Sequence, residues 1–190
     1  MRQRRNRSMS RSECMVCHSR AANFVLGLNV LQMNRRHDYG TTTDNQLKLL
    51  QQLSVFTDDT LPGNPQDHSR LVDPYDARAD LTARARSYLH ANCSQCHVVA
   101  GGGNSQINLD FASTLAGTKL IDTLPQHRNF GTLGNPLVNP GDSKKSILYE
   151  RVTRRGQGQM PPLATSLVDH RGAKLLSDWI NSLPVRLDAP

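Results

Sequence analysis

Cys14-Met-Val-Cys17-His18 and Cys93-Ser-Gln-Cys96-His97 decide how this chain is read. All four cysteines fall in two copies of one five-residue pattern, C-x-x-C-H, and none is left over. That spelling is the signature of c-type haem attachment. On a helix, positions i, i+3 and i+4 share one face, so the two thiols stand one turn apart and the histidine lies beside them. The thiols can then add to two vinyl groups on one edge of a porphyrin, while the imidazole reaches the iron as proximal ligand. Two rival chemistries use the same cysteines. Four thiolates could hold one zinc ion, or a single pair could cycle as a redox dithiol. Neither requires a histidine directly after the second cysteine, and here it occurs both times. Zinc knuckles also tend to carry Gly or Pro in and beside the pair, and neither pair here does.

Composition agrees with a cofactor-filled interior. The chain has 190 residues, of which 37% are hydrophobic and only 5% aromatic, which is thin for a self-sufficient core. Two buried porphyrins would supply the missing apolar volume. Lys and Arg number 23 against 16 Asp and Glu, giving a net charge of +7. The arginines concentrate in residues 1–11, at Arg35-Arg36 and over 151–155. With no aromatic interleaving and no nucleic-acid motif, this reads as solvated surface, part of it facing haem propionates or a redox partner, not as a nucleic-acid site. No apolar run approaches membrane-spanning length. Covalent haem attachment takes place outside the cytoplasm, so an extracytoplasmic location (bacterial periplasm or exported) is expected. Met1-Arg-Gln-Arg-Arg resembles the charged start of a signal peptide, but no apolar stretch follows it. A fragment or a misplaced start is the expectation.

The pattern predicts a basic disordered arm over 1–11, an N-terminal haem module over 12–56, a linker over 57–78 and a second haem domain over 79–190. Helices are expected over 18–34, with Phe24, Val25, Leu28, Leu31 and Met33 at helical spacing, and over 45–53 with Asp44 as cap. Pro62-Gly63, Asn64-Pro65 and Asp73-Pro74 mark the linker. A third helix over 80–96 carries Leu81, Ala85, Tyr88 and Leu89 as its apolar stripe and ends on the second motif. Residues 98–139 read as pocket loops, a short helix follows Ser143 or Ser146, and Asp169 caps a last helix containing Leu176, Trp179 and Ile180. No strand is predicted, and the class is all-α.

A low-spin carrier needs a sixth iron ligand, and a thioether raises the potential. Met160 sits in Gly156-Gln-Gly-Gln-Met160-Pro161-Pro162, a polar loop where a core methionine is out of place. For the first iron the candidates are Met33 and, giving bis-histidine ligation, His37. Met33 requires a chain reversal near Gly27. His68, His90, His127 and His170 are expected at the surface.

The C-terminal half resembles a class I cytochrome c domain. The resemblance is carried by Tyr88-Leu-His-Ala-Asn-Cys93-Ser-Gln-Cys96-His97, the Gln159-Met160-Pro161-Pro162 loop and Leu176-Ser-Asp-Trp179-Ile180, in that family's order. It implies two cytochrome c-like modules, the second with Tyr88 and Trp179 near a helix crossing and a backbone carbonyl on the outer ring nitrogen of His97. The chain also resembles bacterial dihaem c-type modules through Glu13-Cys-Met-Val-Cys-His18, Leu26-Gly-Leu-Asn-Val-Leu-Gln-Met33-Asn-Arg, Asn45-Gln-Leu, Arg86-Ser-Tyr-Leu-His-Ala-Asn-Cys93 and Asn139-Pro-Gly-Asp142. This implies two covalently bound haem c groups. It also implies single-electron relay between a donor, such as an exported dehydrogenase, and an acceptor, with no catalytic residues. The alternative is a dihaem peroxidase-like enzyme with one five-coordinate haem.

Overall fold

Two helices of 13 residues, α4 (Leu81–Cys93) and α6 (His170–Ser182), cross to make the core. The computed structural model describes residues 9–57, 61, 63–127, 130–131 and 134–185. Both helices open on an aspartate, as the sequence predicts for α6. Asp80 accepts the Ala83 N–H at 2.8 Å and Asp169 accepts the Gly172 N–H at 3.0 Å, each satisfying a donor that the first turn leaves free. Ala85 and Leu89 of α4 pack with Leu176, Trp179 and Ile180 of α6. The approach is close because position 172 has no side chain. A Cβ there would stand 2.3 Å from the Tyr88 ring. The Tyr88 hydroxyl then donates to the Asp169 carboxylate at 3.1 Å, and Tyr75 does the same at 2.9 Å. Helix α5 (Ile147–Thr153) follows a 3-10 turn (Ser143–Lys145) that Asp142 caps. The described residues between 94 and 142 carry a 3-10 turn (Ala116–Thr118) and one parallel bridge between Ile121 and Val138.

The N-terminal part departs from expectation. Helix α1 (Arg11–Cys17) starts in a reciprocal box: Ser10 accepts the Glu13 N–H, and Glu13 accepts the Ser10 N–H. The first motif therefore closes a helix and does not open one. The single helix expected over 18–34 is broken at Asn23, Phe24 and Gly27, all with positive φ, and only α2 (Val30–Met33) forms, capped by Asn29.

An antiparallel hairpin comes next, β1 (Arg36–Asp38) and β2 (Thr43–Asn45), pairing Arg36 with Asn45, His37 with Asp44 and Asp38 with Thr43. It corrects the all-α expectation, and with it an architecture of two purely helical cytochrome c-like modules. These strands are polar, β1 exposed throughout and β2 turning inward only at Asn45, so hydrophobic alternation could not reveal them. Turn chemistry makes them: Asp38 accepts the Gly40 N–H at 2.8 Å, with Gly40 at φ +84°. Asp44 belongs to β2 and pairs with Lys48, so Asn45 caps α3 (Gln46–Gln52) in its place. Buried Asn45 donates to buried Asn34 at 2.7 Å, and Asn34 donates to the His68 carbonyl at 2.6 Å, which ties hairpin, α2 and linker together.

The basic arm expected over 1–11 lies outside the described residues as far as residue 8, as do linker positions 58–60 and 62. Among the described residues, no helix is long and apolar enough to cross a membrane.

Candidate functional site

The last turn of α4 delivers the second motif to a cavity. Cys93 ends the helix, and the turn continues through the Cys96 and His97 N–H groups, which both bond to the Cys93 carbonyl at 3.1 and 2.9 Å. Cys93, Cys96 and His97 line one side of a cavity of about 620 Å³, and Met160, Pro161 and Pro162 come in from the loop after α5. The remaining wall is largely apolar, built from Ile107, Leu109, Leu120, Leu137, Leu148 and Val152. The volume falls in the range of cofactor pockets. Residues 63 positions apart in the chain, His97 and Met160, thus share one chamber, as the sequence expectation for Met160 requires.

Burial and the nearby Arg151 guanidinium push the His97 imidazole below its ordinary pKa. It stays neutral, the form that binds iron. Its Nδ1 is buried and has no hydrogen-bond partner among the described residues, so the backbone carbonyl implied for His97 is not found there. Gly103 packs directly on the ring: a Cβ there would lie 2.7 Å from Nδ1. The carbonyl contact occurs at the other histidine. His18 Nδ1 lies 2.7 Å from the Phe24 carbonyl. Since a carbonyl only accepts, the proton sits on Nδ1 and the Nε2 lone pair is free for a metal.

The thiols of the second pair are not activated. Burial pushes Cys93 up to about 12, and burial with the bond to Cys17 pushes Cys96 up to about 12. A redox dithiol needs the opposite shift. Among the described residues, no three His, Cys, Asp or Glu side chains gather as a metal cluster.

The first motif is more open. Cys14 and His18 are exposed and Cys17 is half-buried. Met15, Phe24, Val25 and Leu28 surround it, each more than half exposed. Met33 is half-buried on α2, while His37 is exposed on β1 with its ring edge-on to Tyr39. Neither lines a cavity with His18 in the described residues; a second cavity of about 400 Å³ lies instead between residues 21–32 and the end of α4. The two motifs touch. Cys17 Sγ is 3.4 Å from Cys96 Sγ, Cys96 Sγ is 3.3 Å from the Val16 carbonyl, and Cys17 lines the larger cavity.

His90 corrects its surface assignment: it is buried. Its Nδ1 accepts the Phe111 N–H at 3.1 Å, which places the ring proton on Nε2 and leaves no lone pair for iron. Arg86, one turn earlier on the same face, donates to the carbonyls of Asp110, Phe111 and Ser113. The i, i+4 spacing of Arg86 and His90 is the signal that could have found this pair. His127 and His170 are exposed as expected, and His68 is half-buried. Arg151 was counted as surface charge. It lines the cavity and donates to the Gly158 and His127 carbonyls.

Comparison with protein-family models, with curated proteins and with solved structures found no match to this chain.

Proposed function

We propose that this chain is a dihaem c-type cytochrome that relays single electrons between protein partners. The observation that carries the reading is the convergence of Cys93, Cys96, His97 and Met160 on one apolar-walled cavity. Cys93 and Cys96 would hold the second haem through thioethers, with His97 and Met160 as the residues that would bind its iron. Cys14, Cys17 and His18 would hold the first, with Met33, or else His37, as its sixth ligand. When bound, the haem iron supplies the ferrous–ferric redox change. The protein's part is to bind, orient and exclude water. The aliphatic wall keeps water from the ring, and burial holds His97 neutral. The Phe24 carbonyl fixes the tautomer of His18. A donor such as an exported dehydrogenase, an acceptor and an extracytoplasmic location belong to the same reading.

A second reading rests on the openness of the first motif. An exposed His18 with no candidate ligand sharing a cavity suits a five-coordinate iron, as in a dihaem peroxidase-like enzyme. Cyanide or carbon monoxide separates the two, because an open position on the iron binds it directly, whereas in a six-coordinate relay it must first displace the sixth ligand and changes the spectrum only at much higher concentration.

The decisive experiment is expression in a cytochrome-maturing host, haem staining on a denaturing gel and iron counting. Two irons per chain and a stained band are expected. An unstained band overturns the proposal.

A further inference from the structure

Met160 is flanked on its C-terminal side by Pro161 and Pro162, which have no N–H to tie the loop down. Its own side chain has three rotatable bonds. Something else must hold the sulfur in the cavity. The neighbouring Gln159 spends its whole amide on the backbone around Met160. Its Oε1 accepts the Gly156 N–H at 2.7 Å, and its Nε2 donates to the carbonyls of Pro161 at 3.0 Å and Thr165 at 3.1 Å. These partners lie before and after Met160, so one side chain staples both arms of the loop. The Met160 N–H bonds to the Arg151 carbonyl at 3.0 Å, which ties the loop to α5. At the far end, Arg155 donates to the Leu167 carbonyl at 2.6 Å.

We propose that Gln159 is the positioning residue that keeps Met160 in the wall of the cavity it shares with His97, with Arg155 anchoring the end of the loop. The proposal rests on the reading of Met160 as an iron ligand. Gln159 does not line the cavity and acts only through backbone. Without it, the Pro161 and Thr165 carbonyls lose their donor, and the loop can swing the sulfur away.

The test uses the protein with both haems attached and compares Gln159→Leu, Gln159→Glu and Met160→Leu with the parent. Two readouts are taken: the charge-transfer absorption of a thioether–ferric iron bond, and the affinity for added imidazole, which competes for the vacated position. Gln159→Leu is expected to retain both covalent haems, lose much of that absorption and bind imidazole roughly 10-fold more tightly. That is the change one or two net hydrogen bonds produce in an equilibrium. Gln159→Glu keeps the acceptor for Gly156 but loses the donor. It should fall between parent and Gln159→Leu at neutral pH. A merely structural role would leave imidazole affinity at the parent's value in both variants. Imidazole affinity within two-fold of the parent in Gln159→Leu, while Met160→Leu raises it, overturns the positioning role alone. If Met160→Leu leaves imidazole affinity unchanged, both the ligand assignment and the positioning role fall, while haem stain on the same samples judges the haem reading separately. Should Gln159→Leu not accumulate, the Gln159→Glu series decides by the same criteria.

Discussion

The two C-x-x-C-H segments are spelled alike and housed differently. Around the first, a seven-residue helix, its capping box and one carbonyl six residues beyond His18 complete the local arrangement, and the surrounding apolar side chains face outward. Around the second, α4 packs on α6, and loops from 104–127 and 156–165 close a chamber over His97. The attachment pattern is a local property, satisfied by three residues on one helical turn. Enclosure is a long-range property that needs a core to brace it. Only the second segment has both.

That contrast can be broken most directly at the cysteines. On the dihaem proposal, replacing Cys14 and Cys17 by serine, or Cys93 and Cys96 by serine, should each lower the iron count from two to one per chain. Only the second pair should also lower the thermal midpoint substantially, because it leaves the apolar chamber unfilled. Equal losses of stability would show that the first haem is as deeply built in as the second. Next in size is Trp179→Ala. The side chain is fully buried between α4 and α6, so the cost is about 3–5 kcal/mol by urea unfolding. On the dihaem proposal, an absorption spectrum of the first haem that stays unchanged through that transition would mark the two sites as separable.

The seam between them offers a sharper and smaller test. Gly102 lets the loop lie against α1: a Cβ there would sit 2.4 Å from the Val16 carbonyl. Gly102→Val should cost about 1–3 kcal/mol through overpacking. In the unloaded chain, oxidation with glutathione disulfide should link Cys17 to Cys96, whose sulfurs are already in contact, ahead of either within-motif pair. Peptide mapping reads the linkage, and Gly102→Val should abolish the preference. Exclusive Cys14–Cys17 and Cys93–Cys96 pairing would show that the seam is not populated.

Much of the second site was legible because each part had its own local mark. Asp169 announced α6, the stripe from Leu81 to Leu89 announced α4, and Met160 stood out as a methionine in a polar Gly- and Pro-bearing loop. The hairpin was not legible, since Arg36-His37-Asp38 and Thr43-Asp44-Asn45 bury almost no apolar surface and their pairing depends on one turn at Gly40. The break in the 18–34 segment was hidden for a different reason. Its apolar spacing is helical, but Asn29 serves as a cap and Asn23 and Phe24 adopt the left-handed region, choices made by local hydrogen bonding and not by periodicity. Burial of His90 depends on a loop 21 residues away supplying the Phe111 N–H, which no window around the helix contains.

His90 also provides the smallest effect, and one confined to the second region. Burial lowers its pKa below the ordinary histidine value, and Arg86 adds to this, while Asp110 opposes it. Over the interval between the lowered native value and about 6.5, the unfolded chain binds a proton at this site that the native chain does not. Stability therefore rises with pH across that interval and is lost as pH falls below about 6.5. One site contributes a slope of at most about 1.4 kcal/mol per pH unit. His90→Gln offers a side-chain oxygen to the Phe111 N–H but cannot titrate. Urea unfolding at a series of pH values should show a shallower fall on the acid side than the parent, by no more than that single-site slope. His97, lowered in the same direction, keeps part of the slope in the variant. If the two curves run parallel from pH 7 to 5, the ring is not held neutral by its surroundings, and the loop that covers it in the second region is less firmly closed than its hydrogen bonds imply.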